Sequence, residues 1–188
     1  MRDWIQARRG DQIAYLASVV NIPSGTANAA GVQHVGAVFR ASFDSLGFDS
    51  RWSNQDSVKR GGHLIAVHKG KAGQARLLLI GHLDTVFEGP GHAWSPDSGD
   101  STAHGAGAHD MKGGDVVLLW AIRALAHAGA LKDAVGPNDP AERGAGDISF
   151  VAAQVGGSLD GLGQDGSGDH SPAVDFPDGR GARQWATP

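Results

Sequence analysis

Two stretches decide the fold of this chain: residues 77–86, LLLIGHLDTV, and residues 105–114, GAGAHDMKGG. The first begins as an apolar run of strand length and ends in His-Leu-Asp. The second places an aspartate directly before an apolar segment with the length and periodicity of a helix. Histidine and aspartate are both metal ligands. Together the two stretches predict a metal site built on an α/β sheet.

His82 and Asp110 each allow an alternative interpretation. His82 and Asp84 are an i, i+2 pair, so their side chains share one face of a strand, and one can bind a metal while the other orients it. His82 alone also fits a hydrogen-bonded structural histidine. Asp110 alone fits the N-cap of the following helix. Residues 105–107, GAG, resemble a phosphate loop but lack its third glycine and its Lys-Ser/Thr.

The composition excludes several classes of protein. At 188 residues and 40% hydrophobic, the chain has the size of one domain with one core. The absence of cysteine excludes disulfides and thiolate zinc sites, so histidine and carboxylates must hold any metal. A net charge of -4 without a basic cluster argues against a nucleic-acid partner. The longest apolar run, residues 116–122, is far shorter than the about 20 residues of a membrane span. We therefore expect a cytoplasmic protein with no membrane partner.

Periodicity predicts the remaining elements. Helices are expected at 3–20, with an interruption at 8–10, at about 30–46 and, largely buried, at 112–128; strands are expected at 48–52, 63–68, 76–80 and 148–153. The strands at 63–68 and 76–80 are expected to be antiparallel neighbours. The second of them is continuously apolar, which is typical of a strand covered on both faces. Residues 177–188 have no periodicity and are expected to form a disordered tail.

The two opening stretches also carry a family resemblance. Residues 81–86, GHLDTV, and the later pattern Gly-x-Gly-x-x-Asp-Met-Lys-Gly-Gly resemble the paired signature of zinc-dependent amidohydrolases and exopeptidases. That family includes aminoacylase, acetylornithine deacetylase, succinyl-diaminopimelate desuccinylase and glutamate carboxypeptidase. The turn at 22–26, IPSGT, and the sequence at 143–151 and 159–171 are similar to it as well. The resemblance extends from about residue 4 to residue 176.

The resemblance implies a three-layer, zinc-exopeptidase-like α/β fold that holds two Zn2+ ions. His82 would bind one zinc, His170 would bind the other, and Asp110 would bridge both. Asp84 would orient His82 by a hydrogen bond. The metals would activate a water molecule for attack on a carbonyl carbon.

The resemblance also implies the substrate class. The bond cleaved would be an amide or peptide bond next to a free carboxylate, as in a carboxypeptidase or an N-acyl amino acid deacylase. The substrate would be a small molecule, either an N-acyl amino acid or a short peptide. Gly144 and Asp147 would help to hold its carboxylate.

The chain departs from the family pattern where a Glu-Glu pair should follow the 112–128 helix. The first glutamate of that pair is the family's general base and the second is a zinc ligand. This chain has no Glu-Glu dipeptide, and its only glutamates are Glu88 and Glu142. No general base is found, and family-like sequence stops near residue 133 and resumes near residue 139. This indicates an internal deletion that removes the lid or dimerisation domain.

The deletion gives the predicted organisation. Residues 1–133 would be the N-terminal part of an incomplete catalytic domain, 134–142 the junction, 143–176 its C-terminal part and 177–188 the tail. With fewer ligands, one zinc or none is expected instead of two, and turnover is expected to be impaired. The alternative is a non-catalytic remnant that binds metal weakly or associates with a full-length relative. Without the family's dimer interface, we expect a monomer or an aggregation-prone chain.

Overall fold

A computed structural model describes residues 1–72, 77–98, 102–131 and 145–153. These residues fall within the first of two compact units, Met1–Gly157; the second, Ser158–Pro188, lies outside the described residues. The helices are α1 (Arg2–Ala7), α2 (Arg9–Val20), α3 (Ala29–Asp44) and α4 (Lys112–His127). The strands are β1 (Asp49–Gln55), β2 (Arg60–Ala72), β3 (Leu77–His82), β4 (Ser95–Pro96), β5 (Ala103–His104) and β6 (Ala145–Ala153). A short 3-10 helix, Asp56–Val58, joins β1 to β2.

The N-terminal helices follow the sequence prediction closely. The break between α1 and α2 falls at Arg8, inside the predicted interruption. The third helix begins after Asn28, whose side chain accepts a hydrogen bond of 3.0 Å from the Gly31 N–H. It is followed by Gly47, which has a φ of 83°, a conformation that favours glycine. The helix thus lies close to the predicted range of about 30–46, and its cap at Asn28 was not predicted.

The central sheet has the strand order β1-β2-β6-β3. The β2 strand is antiparallel to both β1 and β6, whereas β3 runs parallel to β6. The prediction that β2 and β3 are neighbours is wrong, because Phe150 of β6 pairs with Ala66 of β2 on one side and with Leu79 of β3 on the other. The β6 strand thus satisfies backbone hydrogen bonds along both of its edges.

The core lies between one face of this sheet and the helices. Phe39 and Phe43 of α3, Leu119 of α4, and Leu64 and Phe150 of the sheet are fully buried in one cluster. The rings of Phe43 and Phe150 stack with centroids 4.6 Å apart. The α/β class with helices packed on a sheet, predicted from the sequence, is confirmed.

The prediction that β3 is covered on both faces is wrong. In the described part of the chain β3 ends the sheet, and Leu78 and Ile80 are 53% and 65% exposed. Their side chains alternate with Leu79, which packs on the core. The α4 helix is likewise buried along one stripe only, since Val117 is exposed. Among the described residues, no helix combines the length and the apolar character needed to cross a lipid bilayer.

Candidate metal centre

The two halves of the opening sequence meet at the end of β3. His82 is the last residue of that strand, and Asp110 lies 28 residues later, just before α4. The Nε2 atom of His82 is 3.0 Å from Oδ1 of Asp110. The Asp110 side chain is 76% exposed, so this contact lies at the surface and is open to solvent. The strand end and the helix start thereby place an imidazole and a carboxylate in direct contact.

Asp84 contacts the other nitrogen of the same ring. Nδ1 of His82 is 3.0 Å from the Asp84 carbonyl oxygen and 3.5 Å from its carboxylate Oδ1. Both are acceptors, so Nδ1 carries the proton and donates it. Asp84 is almost completely buried. This arrangement directs Nε2 towards Asp110.

The charges around the imidazole favour its protonated form. They raise the pKa of His82 to about 9, mainly through the hydrogen bond with the Asp84 side chain, while burial opposes this and the Asp110 hydrogen bond adds to it. The proton on Nε2 is therefore donated to the Asp110 carboxylate. A metal ion bound between these two side chains would have to replace that proton.

Asp110 does not serve as the N-cap of α4, the structural alternative considered for it. Met111, and not Asp110, occupies the N-cap position of α4, and no side chain there caps the helix. The peptide bond between Asp110 and Met111 is cis. Gly107 has a φ of 78°, and a Cβ there would lie 2.9 Å from the Thr85 Cγ2 atom. The glycines therefore allow the loop to pack closely against the residues that follow β3.

The turn at residues 23–26 holds the carboxylate of Asp84, which the sequence analysis did not foresee. Thr26 donates a hydrogen bond of 2.7 Å from Oγ1 to Oδ2 of Asp84. The buried hydroxyl of Ser24 donates to the Leu83 carbonyl oxygen at 3.0 Å. Small hydroxyl residues in a Pro-Ser-Gly-Thr turn commonly bond nearby groups, so the composition of the turn was the available signal. Its partner, 58 residues away, was not readable from the sequence.

Glu88 also belongs to this turn. Its Oε1 atom accepts a hydrogen bond of 2.8 Å from the Ala27 N–H, and its carboxylate lies against Gly25. This carboxylate therefore fixes the approach to α3. The other glutamate, Glu142, lies outside the described residues.

Lys112 is a buried cation that joins the start of α4 to the end of α2. It is 0% exposed, and Nζ donates to the carbonyl oxygens of Val19 and Ile22, both at 2.9 Å. Burial lowers the pKa of this ammonium to about 8. A cation is the favoured partner for the last carbonyls of a helix. The sequence predicted Lys112 only as part of the motif, because burial of one lysine leaves no periodic signal.

Asp115, one helical turn further on, is also buried, but unlike Lys112 it is an acidic residue without a hydrogen-bond partner for its charged group among the described residues. It is 0% exposed. Oδ1 lies against the backbone of Gly81, where a Cβ would collide with it. Burial raises the pKa of Asp115 to about 7, although the charge of His82 opposes the shift. No motif or periodicity in the sequence singles out this residue.

His82 and Asp110 supply part of a metal site. No group of three or more histidine or acidic side chains in the described ranges is arranged to hold a metal ion. Zinc sites in hydrolases usually have three protein ligands. An imidazole and a carboxylate at 3.0 Å, with the imidazole oriented by Asp84, nevertheless fit a Zn2+ ion as two of its ligands.

The other residues expected at the site are not brought together with this pair in the described structure. His170 and Gly144 lie outside the described residues. Asp147 lies in β6, where its backbone pairs with Lys69 of β2, and its side chain is outside the described part. The roles of these three residues stay predictions.

Part of the chain matches a known protein family. Residues 78–135 match the model of Peptidase family M20/M25/M40. Carboxypeptidase G2 of Pseudomonas sp. (strain RS-16) is 34% identical over 119 residues, which are 62% of this chain and 28% of that protein. Succinyl-diaminopimelate desuccinylase of Xylella fastidiosa (strain 9a5c) is 33% identical over 118 residues, 59% of this chain and 29% of the relative. The chain thus spans less than a third of these relatives.

Solved structures share the fold. Human carnosine dipeptidase 1 superimposes with a TM-score of 0.63 and 18% identity over 81% of this chain and 33% of its own. A Staphylococcus aureus tripeptidase superimposes with a TM-score of 0.56 and 19% identity, over 76% of this chain and 36% of the tripeptidase. At these identities the likeness concerns the fold alone.

Proposed function

We propose that this chain, in which residues 78–135 match peptidase family M20/M25/M40, is a zinc-dependent hydrolase of amide or peptide bonds next to a free carboxylate. The observation that carries the proposal is the 3.0 Å contact between Nε2 of His82 and Oδ1 of Asp110. It supports the proposal because two residues from separate elements converge on one point as imidazole and carboxylate. The proposed substrate is a small molecule, an N-acyl amino acid or a short peptide.

In this proposal His82 and Asp110 would hold Zn2+, and His170 would be a ligand of a second ion. Asp110 would be a ligand of both ions. The metal, when bound, supplies an activated water and polarises the carbonyl oxygen. Asp84 keeps the His82 proton on Nδ1, so that Nε2 is available as a ligand. Gly144 and Asp147 are proposed to contact the carboxylate of the substrate.

A specific observation favours a second candidate, a non-catalytic remnant that binds metal weakly or associates with a full-length relative. The described residues provide two ligands and no third. Glu88, the described glutamate, bonds the backbone of Ala27. Loss of a general base typically lowers the rate by about 10²–10⁴-fold. We therefore propose impaired turnover for this chain, and its cytoplasmic location also stays a prediction.

Metal content and hydrolysis test these candidates together. We would measure zinc per chain after dialysis, and hydrolysis of N-acyl amino acids and of dipeptides with a C-terminal glutamate, for the wild type and His82→Ala. His104→Ala is the matched control, because His104 also makes a 3.0 Å contact with an aspartate, Asp97, but at an exposed hairpin. Hydrolysis that is lost in His82→Ala and kept in His104→Ala supports the hydrolase. Zinc binding without hydrolysis supports the remnant, and the absence of His82-dependent zinc binding overturns the metal site.

A further inference from the structure

We propose that Thr26 is a positioning residue for the metal centre, because its hydroxyl holds the Asp84 carboxylate in the orientation that faces His82. The inference rests on the proposed function, in which Nε2 of His82 binds a metal. Thr26 hydrogen-bonds Asp84, and Asp84 contacts His82. Thr26 would therefore act on the metal through Asp84.

The two oxygens of Asp84 face different partners. Oδ2 accepts the 2.7 Å hydrogen bond from Thr26, and Oδ1 lies 3.5 Å from Nδ1 of His82. Because Asp84 is almost completely buried, rotation of its carboxylate would remove a charged oxygen from a donor where water cannot replace it. The hydroxyl proton of Thr26 thus fixes which oxygen is presented to the imidazole.

The backbone around Thr26 keeps its hydroxyl in place. The Thr26 N–H donates to the Thr85 carbonyl oxygen at 3.0 Å, and the Thr85 N–H donates to that of Ser24 at 2.9 Å. Gly25 and Thr85 form a parallel bridge between these bonds. The turn is therefore attached to the residue that directly follows Asp84, so the distance from Thr26 to the carboxylate is set by the backbone.

The hydroxyl has a second acceptor, the Thr85 carbonyl oxygen at 3.2 Å. A hydroxyl has one proton, and the bond to the ionised, nearer Asp84 oxygen is the stronger of the two. Removal of the hydroxyl should therefore act first on Asp84 and then on the His82 ring. Loss of a direct partner of a metal ligand lowers metal affinity by about 10–100-fold, and for Thr26, one contact further away, we expect about 3–10-fold.

Three single variants test the proposal. Thr26→Val removes the hydroxyl at constant shape, and Thr26→Ser keeps it. Ser24→Ala removes a hydroxyl bond of similar length in the same turn, to the Leu83 carbonyl and not to Asp84. Zinc affinity is measured by competition with a chromophoric chelator, and the His82 ring nitrogens are observed by 15N NMR in the metal-free protein.

We expect Thr26→Val to weaken zinc binding by about 3–10-fold and to shift the Nδ1 signal of His82, with Thr26→Ser within about twofold of the wild type. Ser24→Ala should lower stability without moving either readout. In an Asp84→Asn background, Thr26→Val should cause no further loss of affinity. Equal effects of Thr26→Val and Ser24→Ala, or an undiminished effect of Thr26→Val beside Asp84→Asn, would overturn the proposal.

The NMR measurement separates this inference from the proposed function. If the wild type binds no zinc, the proposed metal site fails, while the His82 signals of the metal-free variants still report on Thr26. A His82 spectrum that is unchanged in Thr26→Val would then overturn the positioning role on its own.

Discussion

The helix-facing side of the central sheet differs sharply from the outer side of its β3 strand. On the helix-facing side, Phe150 is fully buried and stacks on Phe43. On the outer side, Leu78 and Ile80 are 53% and 65% exposed, although Ile65 of β2 is buried there. Both sides of β3 are equally apolar in sequence. The apolar sequence of a strand therefore indicates that its faces can be buried. Which face is actually covered depends on the elements that pack against it.

Truncating one side chain on each side of the sheet tests whether the two sides differ in their contribution to stability. Phe150→Ala is expected to cost about 3–5 kcal/mol, because it leaves a cavity beneath α3 that the packed neighbours cannot fill. Ile80→Ala is expected to cost less than about 1 kcal/mol, because most of the side chain already contacts solvent. Urea unfolding measures both. Similar losses for the two variants would mean that the outer side of β3 is covered in solution.

Asp115 is a titratable carboxylate buried on the helix-facing side of the sheet, so its burial should make stability depend on pH. Its pKa is about 7 in the folded state, against 3.8 for an ordinary aspartate, so from about pH 4 to pH 7 the folded state binds a proton that the unfolded chain releases. Stability should therefore fall through this window, by at most about 4 kcal/mol, and level off above it. Asp115→Asn should remove most of the fall.

The measurement is the free energy of unfolding at pH 4, 6 and 8 for the wild type and Asp115→Asn. Asp49→Asn is the control, since Asp49 is an exposed aspartate of β1. A pH dependence that is the same in all three proteins would show that the Asp115 carboxylate is already paired.

Lys112 provides the paired counterpart on the same helix. Lys112→Met keeps the length of the side chain but leaves the carbonyl oxygens of Val19 and Ile22 without their ammonium donor. We expect a loss of about 1–3 kcal/mol, the usual cost of unpaired buried polar groups. Lys59→Met, at an exposed position, should change stability by less than about 0.5 kcal/mol. Unfolding curves at one pH compare the two, and equal losses would contradict a role for the buried bonds.

The smallest effect on stability is expected at the exposed edge. Ile80→Lys should change the free energy of unfolding by less than about 0.5 kcal/mol. It should nevertheless reduce self-association, because a charge on an apolar edge strand opposes pairing with another chain. Light scattering across a concentration series measures this. Self-association that is unaffected by Ile80→Lys would mean that the chains do not associate through β3.

Much of the fold was readable from local patterns. The break at Arg8, the helix stop before Gly47 and the strand ending at His82 follow from periodicity and from glycine conformations. The contact of Asp110 with His82 was expected because a strand end and a helix start carry the two halves of one motif. These features are set by residues close together in sequence or by a long signature.

The strand order was not readable in the same way. A Gly-containing connection between β2 and β3 favoured a hairpin, and nothing local indicated that β6 would lie between them. The roles of Thr26, Lys112 and Asp115 were missed for a related reason. Each depends on burial or on a partner far away in the sequence, and single polar residues carry no periodicity. Domain boundaries and the part played by His170 stay predictions.

The ammonium of Lys112 makes the N-terminal helices a reporter of the metal centre. Lys112 is two residues from Asp110 and donates to the carbonyl oxygens of Val19, in the last turn of α2, and of Ile22, just after it, so we expect movement at Asp110 to affect the end of that helix. Amide hydrogen exchange in the final turn of α2 should slow when zinc occupies the site, since ordering the loop suppresses that local opening. The exchange rate at the end of α2 would then report whether zinc is bound at a site that lies in other elements of the fold.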